Sequence, residues 1–503
     1  PDPKPASIPP AMAAAVERDS RLDGWVAPDR SSHAEYTSFR YQAGRRKRTG
    51  GSYQVASESE SGSGWSEHYY PSREEFIAPE GWPAARHAWL KPRQEYNEWG
   101  ASDFKREHCP EEIWAELLFH ISKLKRDASP GIPWIGIPGI KTNQDLLQLL
   151  GEEVLAAAVW ERLVLLDQSE VGDWFLSGNA TETHIQLALG EDPLDPESIP
   201  AAWRLVDVGL TGPIRLFVKN EPHSAAKAAE QRWRLISSVE VVDQVVERFL
   251  HWEQNELEIM SWRTLPVKAG MGLDDKSLGD LIANVREFKY PKCTDASGWD
   301  WCVQYSEYRQ FVLHRLKLAE RAQRARNLLP GLFVRGFMAR VMAARALCLM
   351  TAAFVLSDGH VFVQTDPGIQ KSGSFCTASS NSYMRWSLAR MVGAAHAICM
   401  GDDAIEEGSG DWDPTRYTKM GYRIELSEHE GIDFCSHHIG ETVEQCWPLN
   451  DSKLVARCLM KKPADKLKAE ELKASLGYDL RHHAERQYWL SLVAAGWGLA
   501  TNN

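Results

Sequence analysis

Ala397-Ile398-Cys399-Met400-Gly401-Asp402-Asp403-Ala404-Ile405-Glu406 reads as two apolar segments meeting at a turn that carries two adjacent carboxylates on its tip. Gly401 supplies the backbone freedom that a tight hairpin needs. Turns built of Gly and Asp are common, and taken alone this one is ordinary punctuation. The apolar flanks change the reading: paired carboxylates on a buried hairpin repel each other and lose hydration, which is costly unless a cation offsets both. The stretch therefore predicts two antiparallel strands that present an acidic tip to a cleft.

Three further segments lie upstream of it. Ser372-Gly373-Ser374-Phe375-Cys376-Thr377-Ala378-Ser379-Ser380-Asn381 is a loop of small residues running into a helix, with Thr377 and Asn381 four apart and so on one helical face. Lys292-Cys293-Thr294-Asp295-Ala296-Ser297-Gly298-Trp299-Asp300 is a short strand ending in Asp295, with Asp300 opening a helix. Leu216-Phe217-Val218-Lys219-Asn220-Glu221-Pro222-His223, followed by Lys227 and by Arg232-Trp233-Arg234, sets cations along apolar strands, an arrangement that suits a triphosphate. Each segment also has an ordinary structural reading, as an N-capped helix, an Asp-rich turn or a solvated basic strand pair.

Composition narrows the field without deciding it. A length of 503 residues predicts three or four lobes. A net charge of -12 argues against a nucleic-acid partner only if charge is uniform. It is not uniform. Six basic residues (Arg204, Arg215, Lys219, Lys227, Arg232, Arg234) stand against three acidic ones between Trp203 and Arg234, and eight stand against Glu320 alone between Arg315 and Arg345. That pattern leaves room for a basic channel inside an acidic shell. Nine cysteines without Cys-x-x-Cys spacing point to reduced thiols, and Cys435, His437 and His438 lack the second pair that a zinc finger requires. The most apolar stretch, Val341 to Leu356, is interrupted by Arg345 and falls short of a membrane span, so no direct transmembrane segment is expected.

Along the chain, residues 1 to about 75 are rich in Ser, Gly, Pro and charge, with a basic knot at Arg45-Arg46-Lys47-Arg48 and the polar run Ser57 to Gly64; they read as a flexible tail or linker. Helical patterns between Ile113 and Leu165 are broken by the turn-rich loop Ser129 to Trp134. A helix is expected to start at Ser237, with Glu240 completing a capping box and Val242, Val245, Val246, Phe249 and Leu250 forming its apolar stripe. Cys348 to Leu356 and His360 to Gln364 flank Ser357-Asp358-Gly359 as a β-hairpin, and the residues from Glu441 onward read as mainly helical.

Lys219, Asp295, Gly373-x3-Thr377-x3-Asn381 and Gly401-Asp402-Asp403, in that order, resemble the motifs of the viral RNA-dependent RNA polymerases over roughly residues 120 to 440. Lys219-Asn220-Glu221-Pro222-His223 and Asp433-Phe434-Cys435-Ser436 look most like the sobemovirus polymerases of plants and their relatives. The resemblance implies an α+β right-hand fold with an antiparallel palm sheet packed on helices. It implies an amino-terminal tail over 1–75, fingers over 76–236, palm over 237–310 and 372–440, an insertion carrying the β-hairpin over 311–371, and a thumb over 441–503.

By the same resemblance, Asp295 and Asp402 are metal ligands supported by Asp403, holding two Mg²⁺ or Mn²⁺ ions for replication of a positive-strand RNA genome. Asp300 and Asn381, with Ser372, Gly373 and Thr377 beside them, read the nucleotide's sugar, while Lys219, Lys227 and Arg234, assisted by Arg232, guide its triphosphate. The Ser129 to Trp134 loop is similar to the template-entrance motif, and Phe434-Cys435-Ser436 resembles the primer grip. The proton donor to pyrophosphate falls to Lys419 or His429, with His429 favoured by its place in the turn and an inert exposed histidine fitting the same position. Implied partners are RNA template and product, nucleoside triphosphates and a genome-linked protein primer (VPg). The implied location is the host cytoplasm, in replication complexes held at membranes through partners. Three alternatives stand beside this reading: a reverse transcriptase, which would use dNTPs; a non-catalytic RNA-binding replication subunit; and a coat protein, whose usual run of short strands is missing.

Overall fold

The acidic hairpin forms, and its alternating side chains show why. In the computed structural model Ala397–Met400 pairs antiparallel with Asp403–Glu407, which pairs in turn with Pro291–Ala296, and Ile424–Leu426 closes the other edge of a four-stranded sheet. Ile398, Ile405 and Cys293 lie side by side across three strands and point into one apolar cluster with Phe434, Leu281 and Trp262. Cys399, Ala404 and Thr294 form the next row and point the opposite way, as strand geometry requires. Small side chains on that face let the Thr377–Met391 helix approach, with Ala389 packed on Ala397, Cys399 and Ala404.

The structure describes residues 9–44, 47–49, 52–55 and 65–69, and then 109–499 apart from 138, 179–180, 191–193, 196–199, 327–332 and 365. The basic residues Arg45 and Arg46 and the run Ser57 to Gly64 lie outside the described residues, as does the 76–108 part of the expected fingers.

Beside the acidic sheet stands a five-stranded one in the order Trp65–Tyr69, His360–Gln364, Ala353–Val355, Ile214–Val218, Leu235–Ser238, with one parallel pair between Ile214–Val218 and Ala353–Val355. A three-stranded sheet of Ile432–Phe434, His437–Ile439 and Trp447–Pro448 follows the acidic sheet in the chain. Helices Glu111–Ser122, Glu152–Gln168, Val241–Ser261 and Ala339–Met350 share the largest core. No helix among the described residues is long and apolar enough to cross a membrane.

Four expectations are corrected. Residues 9–44 are not a tail: Pro10–Val16 buries Met12 and Ala15 against the helices at 451–459 and 486–496, while Ser32–Gly44 buries Phe39 among Trp301, Phe354 and Phe362. A few well-spaced apolar residues suffice when the partner surface comes from distant chain. Ser237 does not start a helix, because it pairs with Leu216 in the five-stranded sheet; the helix begins at Val241 with Glu240 itself as N-cap, accepting from the Val242 and Asp243 amides. Cys348 lies inside a helix of good helix formers, Ala339–Met350, and the hairpin strand starts only at Ala353. The basic stretch from Arg315 to Arg345 is not a uniform channel wall. Arg315 and Arg345 are buried in ion pairs with Glu258 and with Asp243 and Glu247, while Arg340 bonds Asp167.

Phe39→Ala gives a sharp check on the docked amino-terminal segment. Removing this ring should cost about 3–5 kcal/mol of unfolding free energy, read from urea melts; an unchanged midpoint would restore the tail reading.

Candidate active site

Antiparallel register sets the first two carboxylates together. Ala404 lies opposite Thr294, so one step toward the tip places Asp403 opposite Asp295 on the same face. Asp402 sits at the turn, where Gly401 adopts a φ of 62°, a left-handed conformation that a side chain would strain. Two groups on the Thr377–Met391 helix hold this tip: Ser382 Oγ accepts the Gly401 amide at 2.8 Å, and Arg385 Nε donates to the Asp402 carbonyl at 2.9 Å.

The electrostatics reflect the crowding. Burial pushes the Asp402 carboxyl up, with the Asp295 charge adding to it. Asp403 rises to about 7 through burial and then through Asp402, Asp295 and Asp433. Asp433 entered the sequence resemblance only within the Asp433-Phe434-Cys435-Ser436 motif, with no site role; it stands on the Ile432–Phe434 strand, with its carboxylate accepting from Ser427 Oγ.

Asp300 and Asn381 meet as the resemblance implied, with Asn381 Nδ2 donating to Asp300 Oδ1 at 3.0 Å. Burial lifts the Asp300 carboxyl to about 6, opposed by the Asn381 hydrogen bond and reinforced by Asp402. Asn381 Oδ1 is buried and has no hydrogen-bond partner among the described residues. The small-residue loop serves a different purpose from contact. Ser372 Oγ accepts the Ser237 amide, Thr377 Oγ1 donates to the Lys371 and Ser374 carbonyls, and a Cβ on Gly373 would stand 2.4 Å from the Ser237 carbonyl oxygen. Ser372, Gly373 and Thr377 therefore shape the loop and dock it on the Leu235–Ser238 strand.

The cations gather less uniformly. Lys219 and Arg234 flank Glu221 at 2.9 and 3.7 Å, and Arg234 acts electrostatically on both Asp300 and Asp402. His223 Nε2 accepts the Arg234 amide while its Nδ1 bonds the Glu221 carbonyl, which fixes this turn. Lys227 is exposed on the Ala225–Ala229 helix. Arg232 is turned to Tyr41 and Glu230. Lys453, on the Asp451–Leu459 helix, was missed: burial holds its ammonium below the ordinary lysine value, with Glu221 opposing and Arg234, Lys219 and Lys227 adding to the depression. Nothing near residue 453 in the sequence marks that convergence.

Lys419 is exposed at the end of the Thr415–Lys419 helix, and His429 Nε2 shares a 2.7 Å hydrogen bond with His438 Nδ1. Neither is among the main charges that move Asp402 or Asp403.

The largest omission from the sequence reading lies behind the hairpin. Arg385 and Glu406, both fully buried, pair at 2.8 Å; Glu406 also accepts from Thr294, Tyr417 and Trp412, and Arg385 donates to Tyr417 and Thr294. Two signals were present. Arg385 continues the four-residue spacing of Gly373, Thr377 and Asn381, and Glu406 is a charge inside an apolar strand.

This fold and site define a class. The sequence profile of the family described as viral RNA-directed RNA-polymerase matches residues 140–440. The chain belongs to that family, and its α+β architecture is the right-hand polymerase fold, with an antiparallel palm sheet packed on helices. Among curated proteins it is similar to the replicase polyprotein P2AB of Southern bean mosaic virus, 36% identical over 65% of this chain and 31% of the relative, and to that of Cocksfoot mottle virus, 34% identical over 69% and 34%. The protein P1-P2 of Pea enation mosaic virus-1 is 36% identical over 67% of this chain and 26% of its own length. The chain thus spans about a third of the length of the first two relatives. A solved Sicinivirus 3Dpol RNA dependent RNA polymerase aligns over 74% of this chain and 73% of its own, at 12% identity and a TM-score of 0.49. The family works on an RNA template with nucleoside triphosphates and uses divalent metal.

Arg385→Met would leave Glu406 buried without its countercharge. The expected loss is about 3–5 kcal/mol in unfolding free energy; a variant within experimental error of the parent would show that the hairpin does not lean on this pair.

Proposed function

We propose that this chain copies RNA from an RNA template by metal-dependent nucleotidyl transfer, as the polymerase of a positive-strand RNA virus. One observation carries the reading: Asp295, Asp402 and Asp403 converge beside an Asp300–Asn381 pair whose Asn381 Oδ1 is buried and unpartnered among the described residues. An acidic cluster alone would fit many metal proteins. The adjoining acceptor, placed to meet a hydroxyl, favours a ribonucleotide substrate.

The donor set fits hard divalent cations. All three groups are carboxylates, burial and mutual repulsion raise both Asp402 and Asp403, and a cation there would relieve both effects. Two Mg²⁺ or Mn²⁺ ions held by Asp295 and Asp402, with Asp403 in support, would activate the primer 3′-hydroxyl and neutralise the leaving pyrophosphate. Around that centre the side chains bind and orient. Arg234, Lys219 and Lys227 line the approach of the triphosphate, with Glu221 keeping the first two in place when the site is empty of nucleotide. Asp300 orients the Asn381 amide so that its oxygen accepts from the 2′-hydroxyl, leaving a polar group unpaired when a deoxynucleotide enters. For the proton of the leaving pyrophosphate, the existing bond of His429 to His438 favours Lys419 over His429.

On this reading the fingers cover 76–236, the palm 237–310 and 372–440 with the 311–371 insertion between, and the thumb 441–503. The Ser129 to Trp134 loop serves the template entrance and Phe434 to Ser436 the primer grip. The chain works in the host cytoplasm, at membranes through partners, and a genome-linked protein is the primer partner to test.

Primer extension on RNA, with NTPs against dNTPs and with Mg²⁺, Mn²⁺ or chelator, decides between polymerase, reverse transcriptase and binding subunit. Asp402→Ala or Asp295→Ala should abolish extension while RNA affinity stays within about twofold, because the lost groups hold metal and not phosphate; continued extension by either variant refutes the metal assignment. Asn381→Ala should lower the NTP to dNTP preference by roughly tenfold or more, because a site built around a hydroxyl loses its discrimination with its acceptor. An unchanged ratio would remove Asn381 from sugar selection.

A further inference from the structure

Between the His360–Gln364 strand and the small-residue loop the chain runs Pro367-Gly368-Ile369-Gln370-Lys371, and Ile369, Gln370 and Lys371 are all buried. Ile369 takes a φ of 64°, a left-handed conformation in which a β-branched side chain is strained. Contacts on several sides hold it there. Its side chain lies in the largest core, its amide donates to the Val303 carbonyl at 2.8 Å, and its carbonyl accepts from Lys371 Nζ at 3.0 Å. The same ammonium donates to the Gly368 carbonyl and to Gln364 Oε1.

This turn directs the next residue at two elements at once. The Gln370 amide donates to the Asp300 carbonyl at 2.8 Å, a carbonyl that the short Trp299–Cys302 helix leaves for an outside donor. Gln370 Oε1 accepts from Ser380 Oγ at 3.0 Å, one residue before Asn381 on the Thr377–Met391 helix. Its Nε2 donates to the Lys371 carbonyl and lies 3.5 Å from Thr377 Oγ1. One buried residue thus ties the backbone of Asp300 to the helical turn that carries Asn381, behind the 3.0 Å bond between their side chains. A residue that only filled space would need neither bond, and a glycine in place of Ile369 would remove the strain.

We propose that Gln370 is a positioning residue for sugar selection, setting the separation of Asp300 and Asn381 at which Asn381 Oδ1 accepts the 2′-hydroxyl of a ribonucleotide. The inference rests on the sugar reading proposed above and adds to it a residue buried behind the pair. Hydrogen bonds weaken steeply as their geometry departs from the ideal. A small drift of the helix against Asp300 therefore costs the bond to the hydroxyl, whereas a deoxynucleotide makes no such bond and loses nothing.

The test measures kcat/KM of the full chain for an NTP and its matching dNTP. Gln370→Leu should lower the NTP to dNTP preference by roughly tenfold, through kcat/KM for the NTP alone; Ser380 Oγ keeps the Thr377 carbonyl as a second partner, so this change strands no buried hydroxyl. Ser380→Ala removes the same bond from the helix side by deleting one hydroxyl, and should act likewise. Because a single contact is lost in both, the double variant should fall no further than either alone. In an Asn381→Ala background, Gln370→Leu should leave the ratio where Asn381→Ala puts it. Equal losses for NTP and dNTP in both single variants, or the parent ratio in both, would overturn the proposal, as would additive losses in the double variant. A parent ratio retained by Asn381→Ala would instead overturn the sugar reading on which it stands, and a parent chain that extends with neither substrate would overturn the polymerase reading.

Discussion

Arg385 and Glu406 form an ion pair without solvent contact, and the acidic hairpin depends on it. On one side of the sheet the carboxylates of Asp295, Asp402, Asp403 and Asp433 repel one another. On the other side Arg385 holds the Asp402 carbonyl, and is itself held by Glu406, Thr294 and Tyr417. An apolar substitute could match the stability of a buried ion pair, yet it could not fix direction. Here direction is what matters, because the guanidinium joins the helix that carries Asn381, the strand that carries Asp295 and the turn that carries Asp402.

A second buried network does the same for the small-residue loop that begins at Ser372. Arg345 pairs with Asp243 and Glu247, Arg162 pairs with Asp243 and Glu240, and Glu247 accepts from Ser374 Oγ and the Phe375 amide. Burial would raise Asp243, but Arg345 and Arg162 outweigh it and keep the carboxyl below its usual range; Glu240 is pushed up by burial and by Asp243. The two networks grip the loop-and-helix unit 372–391 at its start and along its length. Asn381 therefore faces Asp300 from a segment with little freedom to shift, as the proposed discrimination of a single hydroxyl would require.

The cations around Glu221 are assembled differently, from distant parts of the chain. Trp25 shows how. Its strand pairs with His223–Ser224 while its indole donates to Ser452 and lies 5.7 Å from the Lys453 ammonium. Arg21 binds Asp19 and Glu485 and lies over the Trp489 ring, so the first described residues join the carboxy-terminal helices to the His223–Ser224 strand, between Lys219 and Arg234 in the chain.

The sequence by itself determined the hairpin and the shared helical face of Thr377 and Asn381, because these rest on short-range rules: two-residue alternation, four-residue helical spacing and the backbone freedom of glycine; the order of its motifs pointed to the family, and only that resemblance brought Asp300 to Asn381. It could place Asp295 and Asp402 in one site only by analogy. Tertiary structure decided what depends on contacts between remote segments: the docking of residues 9–44, the use of Ser237 in a sheet in place of a helix, the burial of Arg315 and Arg345, and the arrival of Lys453 and Asp433. A charged side chain looks the same in sequence whether it meets water, phosphate or a buried carboxylate. Only the packed chain sets which partner it meets, since desolvation makes the unpaired alternative too costly to persist.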